Sequence, residues 1–441
     1  MTQSNSNSST TPSRQRIVVI GGGFAGLNFI KRLKKQNYEV ILVDSNNFNS
    51  FPPLFYQVAS SGLEPASISF PFRRELRKRG FNRNVRYNMG RVKTIHLDRK
   101  VVVTQFEELS YDKLVIAAGT TNNFFGMNEL EKSVYTLKST AEAIRCRNDI
   151  LDRLEHASML SDPKKRRELL TFVVVGGGPT GVEIAGALGE MKKYVLKREY
   201  PTIDIDDMSI TIVEGADRVL RTMSEDSSTH AAKYLSTLLV DVKLGQNVKS
   251  YVDGTVELTD GSKMNAGMVI WTAGVKAVGF DVKGGSLPIT RGGRIEVDGF
   301  NKVVGLDDIY ALGDICFMTA DKAFPQGHPQ LAQVAIQQGA NLAKNLNRKP
   351  SKQPKQFVYN DKGSMATVGR NRAVVELKHM QINGFMAWLT WMFVHLMSLL
   401  GMRNKVVVLC NWLWAYFTYG TSLRLLIHPS KYPLRKRWEE I

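Results

Sequence analysis

The chain has 441 residues, enough for two or three domains with cores of their own. Lys and Arg number 59 against 41 Asp and Glu, a formal charge of +18. That balance points to nucleic acid, an anionic membrane surface or anionic substrates; with no nucleic-acid-binding motif beside it, nucleic acid drops out and the membrane surface ranks first.

Residues 1–15 are rich in Ser, Thr, Asn and Gln and read as a disordered leader without the apolar core of a secretory signal. The run Arg16-Ile17-Val18-Val19-Ile20 then reads as a buried strand. It passes into Gly21-Gly22-Gly23-Phe24-Ala25-Gly26 and a helical pattern. In Gly-x-Gly-x-x-Gly the first glycine turns the chain, the second admits a pyrophosphate to the backbone, and the third lets helix and strand pack closely. The diphosphate would rest on free N–H groups at the helix N-terminus. A second apolar run, Val40 to Val43, ends at Asp44, where an acid can accept hydrogen bonds from an adenosine ribose.

Phe51 to Ala59 follows, apolar and aromatic with Pro52 and Pro53. It is a loop that could line a flat ring or pack a core. Arg73 to Arg86 is basic and reads as a solvated face. After strand-like runs at Arg91–Ile95 and Val101–Thr104, Tyr111 to Gly119 reads as a strand ending in small residues, Ala117, Ala118 and Gly119, which let a cofactor approach the backbone.

Ser139 to Arg167 reads as helix with a charged linker. The opening logic then repeats. Phe172 to Val175 is strand, Gly176-x-Gly178-Pro179-Thr180-Gly181 is a second phosphate turn, and Ile210 to Val213 ends at a second ribose acid, Glu214. Asp204, Asp206 and Asp207 lie in an insert that lacks the glycine and spaced glutamate of an EF-hand. The three cysteines, Cys146, Cys316 and Cys410, form no Cys-x-x-Cys, so neither a metal site nor a disulfide scaffold or dithiol centre is expected. Met268 to Gly274 closes the second unit as Ile116 to Gly119 closes the first. Asp308 to Asp314 is a strand running into Gly-Asp, where Asp314 can hold a ribityl hydroxyl or cap a helix.

Pro329 to Gly339 reads as a helix with Pro near its start, and Gln333 and Gln337, four apart, share a face beside Ala332 and Ala335.

The two glycine turns, Ala117-Ala118-Gly119, Trp271-Thr272-Ala273-Gly274 and Leu312-Gly313-Asp314 resemble the flavoproteins with two dinucleotide-binding domains. Among these, Ala-Gln-x-Ala-x-Gln at 332–337 and Pro-Leu-x-Tyr-Gln-Val-Ala at 53–59 resemble the type II NADH:quinone oxidoreductases, over Arg16 to about Ile427. The resemblance implies an α/β fold of two Rossmann-like domains of glutathione-reductase type, with a C-terminal helical membrane-attachment segment. The FAD-binding domain would be 16–138 and 276–370, the NADH-binding domain 139–275, and the anchoring region 371–441. FAD would sit at the first turn, with Phe24, Ala25, Ala118, Gly119, Asp314 and Ala332 around it; NADH would sit at the second, with Gly274. Glu183 is implied to lie between nicotinamide and flavin, where its plain alternative is to complement a helix dipole. Gln333 and Gln337 are implied to border the quinone, ubiquinone or menaquinone. Two alternatives stay open: a flavin- and NADH-binding regulator with little turnover, and a reductase of a soluble acceptor such as ferredoxin.

From Ile382 to Met402 no charged residue occurs, and five of the six Trp lie after Met380. Such residues belong at a membrane interface, so two helices lying in the interface are expected rather than a span. Lys431, Arg435, Lys436 and Arg437 would attract anionic lipid; Lys378 and His379 are further proton-supplying candidates or a solvated pair. The expected location is peripheral, on the cytoplasmic face of a bacterial inner membrane, with the mitochondrial inner membrane as the alternative. A homodimer is left open.

Overall fold

β-Branched runs that are apolar throughout cannot sit on a half-wet sheet, and they form strands buried on both faces of parallel sheets. The computed structural model describes residues 14–34, 37–77, 84–418 and 423–426. Most of the leader, the middle of the basic run and the four closing cations lie outside them. Along the chain, helices α1 (Phe24–Arg32), α2 (Phe55–Ala59), α3 (Pro179–Glu190), α4 (Ala332–Leu346), α5 (Gly384–Ser398) and α6 (Met402–Thr418) carry or border the residues of interest.

The chain divides into two units. The first is Met1–Asn49, Pro71–Thr121 and Lys276–Asp361. Its five-stranded parallel sheet runs in the order Ile309–Ala311, Lys113–Ile116, Gln15–Ile20, Tyr38–Asp44, Val85–Met89. Ile20 pairs with Val43 on one side and Ile116 on the other, and Ala311 pairs with Ile116. This register sets Gly21, Asp44, Ala117 and Leu312 at one carboxyl edge, where open α/β sheets bind ligands. Helix α4 crosses α1 closely: a Cβ at Gly339 would come within 2.4 Å of the Ala25 carbonyl oxygen.

The second unit is Ser50–Phe70, Asn122–Val275 and Lys362–Ile441. Its parallel sheet runs Tyr135–Thr136, Met268–Trp271, Thr171–Val175, Ser209–Glu214, Asp241–Leu244. Val175 pairs with both Val213 and Trp271, so Gly176, Glu214 and Thr272 also share an edge. An antiparallel meander, Ser364–Thr367, Ala373–Leu377 and Met380–Asn383, leads into α5.

These units differ from the expected domains in four places, the first being that the expected anchoring region 371–441 shares the second unit with the NADH-binding segment. Ser50–Phe70 belongs to the second unit because α2 packs on α3 and on the helix Thr140–Met159. Residues 122–138 join it through the Tyr135–Thr136 strand. Residues 362–370 join it because Ser364–Thr367 is hydrogen-bonded to Ala373–Leu377; a boundary at 370 would cut that ladder.

Helix α5 has 15 residues and α6 has 17, about 22 and 26 Å at 1.5 Å per residue, against roughly 30 Å of hydrocarbon. Among the described residues no helix is long and apolar enough to cross a membrane. Phe385, Met386, Phe393 and Met397 of α5, and Met402, Val406, Trp414 and Phe417 of α6, are exposed. The Trp-rich tail is nevertheless not all interface: Trp391 and Trp412 are 1% and 9% exposed, drawn inward by packing on α2.

Candidate functional site

The first turn has the geometry that its glycines require. Gly21 has φ +95°, and a Cβ there would meet the Ala117 carbonyl oxygen at 2.4 Å; one at Gly26 would meet Gly21 O at 2.0 Å. At Gly23, by contrast, nothing lies within 4 Å of where a Cβ would be. Gly23 caps α1 without any side-chain acceptor, so the first-turn N–H groups of Ala25 and Gly26 have no intrahelical carbonyl within reach and stand beside that open side. Asp44 closes the loop: Oδ2 accepts from Gly22 N at 2.7 Å and Oδ1 from Asn46 N at 2.8 Å. Burial raises its pKa while these N–H groups hold it down. The carboxylate keeps lone pairs for two ribose hydroxyls.

Two supports were not legible in the sequence. Asn49 Nδ2 donates to Gly22 O at 2.7 Å, and the Phe72 ring lies where a Gly22 Cβ would be, 2.3 Å from Cζ. Neither stands in a periodic pattern.

At the same edge Gly119 has φ +69° with open space beside it, and Ala118 is half-buried. Asp314 Oδ2 accepts from Thr120 Oγ1 at 3.4 Å, and its carbonyl accepts from Gln330 Nε2 at 3.0 Å. Helix α4 starts at Ala332, three residues after the expected Pro329, which frees Gln330 for this bond. Ala332, Gln333 and Gln337 are half-buried. Gln337 Nε2 donates to Asn360 O at 2.9 Å and Oε1 accepts from Asn360 N at 3.0 Å, which leaves one N–H and one lone pair for a further partner. Its neighbour Gln338, which the sequence reading passed over, is fully buried and accepts from Gly313 N at 2.7 Å and Cys316 Sγ at 3.2 Å.

The second turn repeats the design in the other unit. Gly176 has φ +104°, and a Cβ there would meet Ala273 N at 2.9 Å; one at Gly181 would meet Gly176 O at 1.9 Å. The Gly178 side is open, and Gly178, Pro179 and Thr180 are exposed at the start of α3. Glu214 accepts from Gly177 N and, at 2.7 Å, from Ala216 N. Arg218 is committed to its own loop, donating to Glu225 at 3.1 Å and to the carbonyls of Arg221 and Met223 at 3.4 Å. Gly274 has φ +72°, with the Phe125 ring 2.4 Å from where its Cβ would be.

Glu183 lies beyond the first turn of α3 and is 7% exposed. Burial pushes its pKa up to about 8, against the pull of the Thr367 backbone and the Trp391 indole. The carboxyl therefore holds its proton at neutral pH and gives it up just above. Beside it Phe51, Leu54, Phe55, Tyr56, Val58 and Ala59 are buried. Tyr56 meets Trp391 edge-on at 6.3 Å, Trp391 stacks on His395 at 4.0 Å, and Phe51 meets His395 edge-on at 6.1 Å. Burial lowers His395 to about 4, so it is a neutral ring near pH 7. Lys378 and His379 are exposed.

Of the three residues expected to act on substrates, Gln333 and Gln337 stand in the first unit and Glu183 in the second. The first unit gathers Gly21, Gly22, Gly23, Phe24, Ala25, Gly26, Asp44, Ala118, Gly119, Asp314 and Ala332; the second gathers Gly178, Pro179, Thr180, Gly181, Glu214 and Gly274.

Residues 15–339 match the family model of pyridine nucleotide-disulphide oxidoreductases, and residues 362–419 match the NDH2 C-terminal domain. The chain is 35% identical over 419 residues to a type II NADH:quinone oxidoreductase of Mycobacterium tuberculosis, covering 91% of this chain and 88% of that one. It is 30% identical to the mitochondrial internal alternative NAD(P)H-ubiquinone oxidoreductase A1 of Arabidopsis thaliana, covering 93% and 85%. Its fold matches a structure of NDH2 from Plasmodium falciparum in complex with NADH, with TM-score 0.86, 21% identity and coverage of 94% and 100%.

Proposed function

We propose residue roles from one premise: the chain belongs to the pyridine nucleotide-disulphide oxidoreductases and, within them, to the type II NADH:quinone oxidoreductases. It is a FAD-dependent enzyme that passes electrons from NADH to a quinone. FAD, when bound, supplies the two-electron chemistry between the two substrates.

The open turn at Gly21–Gly26 and the first-turn N–H groups of α1 hold the FAD diphosphate, Asp44 its ribose and Asp314 its ribityl chain. Ala118, Gly119 and Ala332 leave room for it. Gly178–Gly181 and α3 take the NADH diphosphate, and Gly274, whose positive φ suits glycine and whose side-chain space the Phe125 ring fills, closes the same edge. Glu214 takes the ribose hydroxyls and repels a 2′-phosphate, so NADH is favoured over NADPH. Arg218 is tied to its loop and does not reverse that preference. Gln333 and Gln337 border the quinone: an amide donates to a carbonyl without placing charge in an apolar pocket. Glu183 handles the proton that quinone reduction consumes, since a carboxyl with a pKa near 8 can both hold and release one at physiological pH.

The C-terminal hairpin seats the enzyme on an anionic membrane, with Phe393, Trp414 and Phe417 in the headgroup region. The seat is peripheral, and we assign it to the NADH-facing leaflet, the cytoplasmic face of a bacterial inner membrane.

The observation that carries this reading is the pair of open glycine turns, each closed by a ribose acid. A stopped-flow experiment tests the roles. Gln333→Leu and Gln337→Leu should raise the quinone KM about tenfold or more while NADH still bleaches the flavin at the wild-type rate. Equal loss of both half-reactions would contradict the assignment.

A further inference from the structure

A glutamine on a helix face loses rotamer freedom when it grips a substrate, unless something has fixed it beforehand. Gln337 is fixed. Asn360 N donates to its Oε1 at 3.0 Å, and Asn360 O accepts from its Nε2 at 2.9 Å. A backbone N–H only donates and a carbonyl only accepts, so these two bonds settle which end of the carboxamide is oxygen. The second amide N–H is the free donor. The segment 355–360 that makes this clamp is irregular and lies along α4. At its start, Lys355 N donates to Asn345 Oδ1 and Lys355 O accepts from Asn345 Nδ2, both at 2.9 Å. Its other end, beside Gln337, needs a separate anchor.

That anchor is Asp321. Oδ2 accepts from Tyr359 N at 2.8 Å, one residue before the clamp, and from His328 Nε2 at 3.0 Å. Oδ1 accepts from Ala323 N at 3.1 Å. A carboxylate only accepts, so His328 carries a proton on Nε2. Asp321 and His328 are 4% and 1% exposed, and the rings of Phe324, Phe357 and Tyr359 surround the imidazole at 5.2 to 5.9 Å. Burial pushes the Asp321 pKa up, but its donors, His328 foremost, hold it below the usual carboxylate value. His328 is placed by its own backbone: Arg294 Nη2 donates to His328 O at 3.1 Å while Nε donates to Cys316 O at 2.9 Å. Direct hydrogen bonds thus run from His328 to Asp321, to the Tyr359–Asn360 backbone, to the Gln337 carboxamide, all within the first unit.

We propose that Asp321 and His328 are positioning residues for Gln337. The buried pair locks the Tyr359–Asn360 backbone, and that backbone presents the free Gln337 N–H to a quinone carbonyl in one fixed orientation. The proposal rests on the reading of Gln337 as a residue that borders the quinone. It gives a buried acid and imidazole a task in quinone binding although neither touches the substrate.

The test compares quinone KM with NADH-driven flavin reduction in the detergent-solubilised holoenzyme. Asp321→Asn keeps the shape and removes one of the two acceptor oxygens. It should raise the quinone KM about threefold to tenfold, with flavin reduction and kcat at saturating quinone unchanged. In the Gln337→Leu background it should add less than about twofold. His328→Gln keeps an N–H where Nε2 stands and should hold the wild-type KM; His328→Leu lacks that donor and should raise KM as Asp321→Asn does. Where Asp321→Asn yields no flavin-bound protein, the two His328 variants carry the same test. An unchanged quinone KM in Gln337→Leu overturns the reading of Gln337. A KM that moves in Gln337→Leu but not in Asp321→Asn, full additivity of the two, or equal loss of both half-reactions overturns the role of Asp321. Equal KM values in the two His328 variants overturn the role of His328.

Discussion

Single residues carry the chemistry through their surroundings. Glu183 has an ordinary carboxyl with a value of 4.5 that burial lifts to about 8. Between those values the folded chain holds a proton that the unfolded chain has released, so this site stabilises the fold least at high pH. The cofactor-free protein should therefore lose thermal stability as pH rises from about 5 to 8, and Glu183→Gln should flatten that slope; a steeper slope in the variant would contradict the assignment. In the holoenzyme the same substitution should slow quinone reduction by about 10²-fold, measured under steady NADH. On the role proposed for Glu214, Glu214→Gln should raise kcat/KM for NADPH relative to NADH by about tenfold, worth about 1.4 kcal/mol. Glu214 was readable as the acid that ends a strand, and Glu183 was picked out by the resemblance, just after a glycine turn. Asn49, Phe72 and Gln338 were not, because Asn49 and Phe72 brace Gly22 and Gln338 braces Gly313 from distant stretches whose local pattern is plain loop or helix.

At the scale of elements, the glycine turns were legible because sterics leave no substitute. Gly21 and Gly176 need positive φ, and Gly26 and Gly181 pack on a carbonyl. Gly26→Ala should yield protein without bound flavin, whereas Gly181→Ala should keep the flavin absorbance and raise the NADH KM sharply; flavin loss in both would make the turns general folding elements. The C-terminal helices were legible as an apolar, Trp-rich stretch, but composition could not separate the two faces. Trp391 and Trp412 turn inward, while Trp414 and Phe417 face out. Replacing the outward pair by Ser should release the enzyme from anionic vesicles in a flotation assay without changing its flavin spectrum. The two compact units depart from the expected domain boundaries because strand pairing and helix packing between distant segments set them, as with Ser364–Thr367 on Ala373–Leu377.

For the whole molecule, two parallel sheets each present one open glycine turn and one ribose acid, and the same chain carries an apolar helical hairpin. On the proposed membrane seat, the charge of +18 would add an attraction to anionic lipid that salt should weaken. No cysteine pair stands ready to take electrons, since Cys146 and Cys316 are buried singly and Cys410 is exposed alone. Electrons from NADH must leave by another acceptor, and that acceptor is the quinone. The most direct test is the purified, detergent-solubilised protein in an NADH oxidation assay. It should be yellow with a flavin absorbance, and it should consume NADH continuously only when a quinone is supplied. Colourless protein, or NADH consumption that quinone does not accelerate, would contradict the account.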